Sequence, residues 1–378
     1  MYFKAFNFVF YMGMAVFTYY NLYFKSINLT SSQIGTINSI AKAVALLSLP
    51  LWGILSDYYK ANKKLLLITV SGALVSSLLF LTVDSFWLIV LIMTMFLTFF
   101  LSTVPLADAQ LLGHLGENSK QYGKYRIWGS IGYTAVVAVV GLFIEKTAPI
   151  NIFYLSAVVY LVTLIIIPKL PEEDVSIEVG SLDKFKTLLN KENLLIFILF
   201  TFFINLTFET NNIYFPIYVV DHGGKEFLVG AALMIAATSE MSIFYFSEEI
   251  MERFKIKYIF LVSASAFAFR WFLLSKFPLA PVFLASQLLH SLTFGLFHVT
   301  AVNYINEICG DRFKATGQNL YATAKGISGI VGSFIGGFIY QNLGGSTLYL
   351  YLSLIALGAG LIYFIVIRKN DKINYVGY

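Results

Sequence analysis

Six charged residues lie deep inside long apolar stretches of the sequence: Lys42, Asp108, Glu209, Glu240, Arg270 and Lys325. A charge at the centre of a bilayer costs roughly 2.5–3.5 kcal/mol on insertion scales, so these side chains are expected to face an interior cavity rather than lipid. Carboxylates accept hydrogen bonds from hydroxyl groups, while guanidinium and ammonium groups donate to oxygen atoms. Charges of both signs within the membrane predict a carrier that binds a polar solute near the middle of the bilayer.

The composition excludes a soluble protein. The 378 residues are 58% hydrophobic and 12% charged, a balance that a soluble domain of this size does not tolerate on its surface. The net charge of +5 comes from basic residues scattered among short loops, which differs from the basic stripe that binds nucleic acid. Cys309 is the single cysteine, and no Cys/His cluster has the spacing of a metal site. We therefore predict no cofactor, no metal and no nucleic-acid partner.

Apolar segments of about 18 to 25 residues, the length that crosses the hydrocarbon core, recur between polar breaks. The twelve predicted spans are 6–24, 34–54, 65–83, 86–112, 126–144, 150–167, 193–219, 227–247, 257–275, 281–308, 315–340 and 347–367. The sequence thus predicts an all-α integral membrane protein with twelve transmembrane helices.

A long polar stretch divides the spans into two sets of six. The predicted organisation is an N-terminal half, 1–167, a central cytoplasmic linker, 168–192, and a C-terminal half, 193–378. Within the linker, Leu182 to Leu189 fits either a short amphipathic surface helix or a solvated segment. A weak internal repeat supports the division, because Asp57 with its following lysines is echoed 191 residues later by Glu248 and its basic neighbours. Two parallel repeats around a central cavity are the expected architecture.

The distribution of basic residues predicts the orientation. If the N-terminus is cytoplasmic, only Lys25, Lys146, Lys225 and Lys276 of the 26 basic residues lie in outer loops. The positive-inside rule favours this arrangement, with both termini cytoplasmic in a cell (inner or plasma) membrane.

The loop after the second span contains Gly53, Asp57, Lys60 and Lys63 in a G-x-L-S-D-x-x-K-x-x-K pattern. This pattern resembles the signature loop of the major facilitator superfamily. We expect Gly53 to allow close helix approach, Asp57 to lie at a helix end or pair with a base, and the lysines to anchor to the cytoplasmic face. The loop is a candidate conformational latch, with an ordinary positive-inside loop as the alternative.

The sequence from Tyr122 to Tyr133 is similar to the beginning of the fifth helix in the lactose permease-like branch, which includes the oligosaccharide/proton symporters and phenylpropionate-type permeases. This resemblance implies that Asp108 and Arg126 bind a sugar and that Tyr133 stacks on its ring. Independently, a carboxylate and a guanidinium suit a polyol or a carboxylate ligand. A structural ion pair between Asp108 and Arg126 is the alternative.

The resemblance continues through the second half. It implies that Glu209 pairs with Lys325, that Glu240 and Lys325 contact the substrate, and that Glu209, Glu240, Arg270 and His290 take part in ion coupling. A buried carboxylate and ammonium so placed have to be paired, since either alone is an uncompensated charge. His290, Phe294 and His298 also share one helical face, where either histidine is a candidate proton relay or a packing residue.

Several positions depart from the lactose permease-like pattern. Thr293 replaces a glutamate that is central to proton coupling there, and Ile243 replaces a sugar-contacting asparagine. Asn212 and Gln287 occupy the positions of an ion pair and are both neutral. Lys42 has no counterpart and adds a positive charge, which favours an anion or an acidic sugar, or gives Asp108 or Glu209 a partner. These departures leave proton coupling open.

The sequence therefore predicts a monomeric major facilitator carrier in the lipid bilayer, with a sugar or oligosaccharide as the small-molecule substrate and protons as the coupling ion. The substrate is expected between Asp108, Arg126 and Tyr133 on one side and Glu240 and Lys325 on the other. The main alternative substrate is an aromatic or other organic carboxylate, moved by symport, uniport or efflux. A remote alternative is an intramembrane enzyme with Glu240 and His290 as an acid/base pair.

Overall fold

The computed structural model describes residues 1–59, 62–171, 192–310 and 313–369, and every regular element in these ranges is a helix. Eleven helical segments in the same ranges are long and apolar enough to cross a membrane. The prediction of an all-helical membrane protein is confirmed. Lys60 and the linker residues 172–191, with the candidate surface helix from Leu182 to Leu189, lie outside the described residues, and of Asp57 only the backbone is described.

The α-helices described before the linker match the first six predicted spans. They are α1 (Tyr2–Phe17), α2 (Tyr20–Ser26), α3 (Ser31–Tyr59), α4 (Asn62–Leu79), α5 (Phe86–Leu115), α6 (Tyr122–Lys146) and α7 (Ile152–Ile166). Those described after it are α8 (Glu192–Asp221), α9 (Glu226–Arg253), α10 (Ile256–Lys276), α11 (Ala280–Ala285), α12 (Leu296–Cys309), α13 (Lys314–Leu343) and α14 (Gly345–Lys369).

The first predicted span is formed by two consecutive helices, which explains why it is absent from the eleven long ones. α1 ends at Phe17 and α2 begins at Tyr20. At the break, the Thr18 hydroxyl donates to the Met14 carbonyl over 3.1 Å, and the Tyr19 N–H bonds to Val16 three residues back. The last turn of α1 is therefore tightened, while the backbone dihedral angles at the break stay in the right-handed helical region. Such tightening is common at helix ends.

The predicted span 281–308 is also discontinuous. α11 is followed by a 3₁₀ turn at Ser286–Leu289 and a π turn at Ser291–Gly295 before α12 begins. Single π turns inside helices occur frequently at functional sites. His290 lies between the 3₁₀ turn and the π turn.

The chain forms two compact units. Unit 1 contains the described residues up to 171 with Asn212–Met234 and Ser333–Gln341, and unit 2 contains the described parts of Gly180–Asn211 with Ile235–Gly332 and Asn342–Tyr378. In unit 1, α1 packs on α6 and α7, and α5 packs on α3 and α4. In unit 2, α10 packs along α14 and against α12. Stacked aromatic rings fill both cores, such as Phe96 on Phe100 in unit 1 and Phe200 on Tyr363 in unit 2.

Several helix ends of unit 1 converge around Asp221, and we call this region the Asp221 end. The Asp221 carboxylate lies 3.5 Å from the Lys25 ammonium and accepts a 2.9 Å hydrogen bond from the Tyr340 hydroxyl. Close by in sequence, Lys225 pairs with Glu145 at 3.2 Å. These contacts join α2, α6, α8 and α13 with the loop before α9.

Glycines bring helix backbones together at the Asp221 end. A Cβ atom added to Gly35 on α3 would lie 3.2 Å from the Cα of Gly337 on α13 and would overlap the Ser333 carbonyl. The Tyr214 hydroxyl donates to that carbonyl over 2.7 Å. A side chain at Gly337 likewise has no space, because its Cβ would lie 2.5 Å from the Ser31 carbonyl oxygen.

Candidate functional site

The charged groups in unit 1 are brought together by α1, α5 and α6. The Arg126 guanidinium lies over the ring of Tyr11, with its Cζ 4.0 Å from the ring centroid. The Tyr122 hydroxyl hydrogen-bonds the Asp108 carboxylate, and Arg126 is close enough to Asp108 for their charges to interact. All four side chains are half-buried. The structure thus places the two predicted substrate residues, Asp108 and Arg126, in one cluster.

Two features of the helices position this cluster. Pro105, one turn before Asp108, lies inside α5, and proline removes one backbone hydrogen bond of the helix. On α6, a Cβ atom added to Gly129 would lie 2.8 Å from both Arg126 Nη1 and a ring carbon of Tyr11. Only glycine leaves room there for the guanidinium to lie over the ring.

Tyr133 is the third residue predicted for this site. It follows Arg126 by seven residues on α6, which is two helical turns and about 10 Å along the axis on the same face. Its hydroxyl lies 3.4 Å from the Thr18 hydroxyl, and its side chain is half-buried. Its role in stacking on a sugar ring stays a prediction.

Lys42, also half-buried, lies on α3.

In unit 2, Arg270 is the most buried charged residue among those described, with 1% of its surface exposed. One of its terminal nitrogens donates to His290 Nδ1 and to Thr293 Oγ1, both at 3.1 Å. The other donates to Gln287 Oε1. The guanidinium is therefore held by three uncharged acceptors from the irregular part of the tenth span.

His290 connects Arg270 to Glu240. Its Nε2 lies 3.4 Å from a Glu240 carboxylate oxygen. Because an arginine N–H can only donate, His290 Nδ1 must accept and is unprotonated, so the imidazole proton is assigned to Nε2, which donates to Glu240. Glu240, His290 and Arg270 form a hydrogen-bonded chain that runs from a carboxylate through a neutral imidazole to a guanidinium.

Glu209 and Lys325 form the ion pair that the resemblance implied. The Lys325 ammonium lies 3.9 Å from the Glu209 carboxylate and 5.5 Å from the centre of the Phe294 ring. Phe294 stacks on both His290 and His298, so the helical face predicted from their spacing is present. No three His, Cys, Asp or Glu side chains of the described residues lie together as a metal site.

Some neighbours of these charges were not predicted. Gln287 and Thr293 were identified in the sequence only as departures from the permease pattern, whereas both bind Arg270. Their positions, three residues before and after His290, carried a signal because such spacing places side chains on one helix face. Tyr11 and Tyr122 carried no comparable signal.

Gly53 lies inside α3, before the loop that the sequence pattern predicted. Among the described residues, a Cβ atom added to Gly53 would meet nothing within 4 Å, so the expected close helix approach is not present among them. The ends of α3 and α4 are instead joined by a hydrogen bond from Ser56 to Asn62. Lys63 lies half-buried in the first turn of α4.

The chain is similar in sequence to several known proteins. The chain is 26% identical over 351 residues to the uncharacterized transporter YwbF of Bacillus subtilis, covering 92% of this chain and 88% of that protein. It is 25% identical to the maltose permease of Geobacillus stearothermophilus, covering 96% and 93%. It is 25% identical to a probable 3-phenylpropionic acid transporter of Escherichia coli, covering 72% of each chain.

The fold is shared with a solved structure. The crystal structure of the nucleoside transporter NupG superimposes with a TM-score of 0.86 at 16% identity, covering 97% of this chain and 98% of that one. The predicted major facilitator fold is therefore confirmed. A family model, MFS_1 like family, matches residues 1–351, and this multi-pass membrane protein belongs to that family of transporters.

Proposed function

We propose that the chain is a secondary active transporter that moves a sugar or oligosaccharide by alternating access with proton symport. The observation that carries the proposal is the half-buried cluster of Asp108 and Arg126. A sugar hydroxyl both donates and accepts, so neighbouring hydroxyls can donate to the carboxylate and accept from the guanidinium edge. Tyr133, on the same face of α6, adds an aromatic surface for a sugar ring.

An aromatic or other organic carboxylate is the second candidate substrate. It is favoured by Lys42, by the replacement of a sugar contact at Ile243, and by the similarity to a probable 3-phenylpropionic acid transporter. A monocarboxylate pairs with Arg126 but brings no donor for Asp108, and two carboxylates repel each other. The similarity to a maltose permease over 96% of the chain also supports the sugar.

We propose that ion coupling uses Glu240, His290, Arg270 and the Glu209–Lys325 pair. Because Thr293 donates and accepts hydrogen bonds without titrating, it carries no proton for coupling. Glu240 is the carboxylate in contact with His290, so we assign it the transported proton. Protonation of Glu240 removes the negative charge beside the imidazole of His290. Less negative charge then remains near the buried guanidinium of Arg270.

Alternating access requires that the Asp221 end opens. With both termini cytoplasmic, as the positive-inside rule favours, Lys25, Glu145 and Asp221 lie at the outer side. We infer that their contacts and the approach of Gly35 to Gly337 close a route for solute there, and that rocking of the two predicted halves separates them.

Transport by the purified protein in liposomes tests the proposal. The liposomes contain a pH-sensitive dye, and maltose, 3-phenylpropionate or uridine is added outside. We expect maltose uptake with acidification of the interior. Arg126→Gln should abolish both signals, while Lys124→Gln, an exposed cation on the same helix, should retain them. Uptake of 3-phenylpropionate alone would favour the carboxylate, and uptake of maltose without acidification would contradict proton symport.

A further inference from the structure

The Arg126 guanidinium lies over the aromatic ring of Tyr11 on α1. The distance of 4.0 Å from Cζ to the ring centroid is well within the range of an attractive cation–π contact. Tyr11 also lies near enough to Asp108 for an electrostatic interaction. It therefore contacts the one basic side chain of the cluster and lies near its acidic one.

The packing of α1 on α6 fixes this contact. A Cβ atom added to Gly132 would overlap the backbone carbonyl of Phe8, so the two helices touch through their main chains. One turn earlier on α6, Gly129 leaves the space in which the guanidinium and the ring lie together. Main-chain contact therefore fixes the distance between the two helices that carry Tyr11 and Arg126.

The contact restricts how Arg126 can bind a ligand. A guanidinium donates in its own plane, through an edge of N–H groups. With the ring of Tyr11 beside it, the guanidinium loses part of its freedom to tilt. Lysine cannot reproduce this, since an ammonium has no plane to hold.

We propose that Tyr11 is a positioning residue that determines substrate specificity by orienting the Arg126 guanidinium. The inference rests on the proposed function, because it assumes that Arg126 contacts the substrate. Tyr11 limits the orientations that the N–H edge can take, and Tyr122 hydrogen-bonds the Asp108 carboxylate. A ligand must then present an acceptor pair and a neighbouring donor at matching angles.

Uptake kinetics in proteoliposomes test this role, with maltose as the probe and 3-phenylpropionate as the competitor. Tyr11→Leu should raise the KM for maltose about tenfold with little change in kcat, since orienting contacts of this kind act on binding. Tyr11→Phe keeps the ring and should remain within about twofold of the original KM. The matched control is Phe8→Leu, which removes a ring on the same helix that contacts Trp128 rather than Arg126.

The possible outcomes separate the two proposals. Maltose uptake that is unchanged in Tyr11→Leu, or an equal rise of KM in Phe8→Leu, would overturn the role of Tyr11 while leaving the proposed function intact. A weaker discrimination between maltose and 3-phenylpropionate in Tyr11→Leu alone would support it. Failure of the unsubstituted protein to take up maltose would overturn the proposed function, and the role of Tyr11 with it.

Discussion

Arg270 donates a hydrogen bond of 3.1 Å to Nδ1 of His290, and this contact determines which nitrogen of the imidazole faces Glu240. A second proton on the imidazole would point an N–H at the guanidinium and add a like charge beside it. The neutral form of His290 is therefore part of the same network that holds Arg270. The proposed proton transfer would therefore begin at Glu240.

Replacement of Glu240 tests that assignment. Glu240→Gln removes the titrating group and leaves a side chain of similar shape, so maltose-driven acidification of liposomes should fall at least about tenfold, because a neutral amide takes up no proton. The control is Glu248→Gln, an exposed carboxylate two turns further along α9. Retained acidification in Glu240→Gln would exclude Glu240 as the proton carrier.

Arg270 is expected to stabilise unit 2 through its hydrogen bonds. Arg270→Met leaves the acceptors of Gln287, Thr293 and His290 without their donor, and each lost hydrogen bond to a charged group costs about 1.5–3 kcal/mol. The melting temperature in detergent should fall by several degrees. Arg253→Met, at an exposed helix end, should change it little. Equal melting temperatures for the two variants would contradict the network.

The Glu209–Lys325 pair predicts a non-additive effect. Lys325→Gln removes the ammonium that pairs with Glu209, and breaking one side of an ion pair costs up to about 3–5 kcal/mol for a fully buried pair and less here, where part of both side chains is accessible. The double variant Glu209→Gln with Lys325→Gln should recover most of the lost thermal stability. A double variant whose loss equals the sum of the single losses would show that the two residues do not interact.

The glycine contact at the Asp221 end predicts different outcomes for two glycines of one helix. Gly35→Leu has no space against Gly337 and Ser333, whereas in Gly53→Leu the added Cβ atom has no atom of the described residues within 4 Å. Hydrogen–deuterium exchange should increase around residues 31–40 and 210–218 only in Gly35→Leu. The same exchange in both variants would show that this contact does not persist in solution.

Much of the fold was predictable from hydropathy and length. Long apolar segments form helices in a bilayer because their backbone N–H and C=O groups have no water to bond and must bond one another. All twelve predicted segments are helical. The π turn at Ser291–Gly295 was not predictable, because nothing in its composition distinguishes it from an uninterrupted helix. The expectation for Gly53 failed because glycine permits close packing without requiring it.

The candidate site was predictable where a motif linked its members. Spacing and resemblance identified Asp108, Arg126, Glu209 and Lys325, and the structure brings them together in these pairs. Tyr11 lies 115 residues before Arg126. Its helix has none of the intramembrane charges by which the other site residues were identified. Its contact depends on how α1 crosses α6, which is a property of tertiary packing.

The π turn also acts as a one-residue change of register within the tenth span. Successive residues of an α-helix are rotated by about 100° around its axis, so one additional residue in a turn offsets everything that follows by about that angle. Gln287 and His290 precede most of this offset, and α12 follows it. The tenth span can therefore direct polar groups toward Arg270 in its first part and align its second part independently against the aromatic core. Deleting a single residue between Ser291 and Gly295 would remove this angular offset. The first and second parts of the span could then no longer both keep their present contacts.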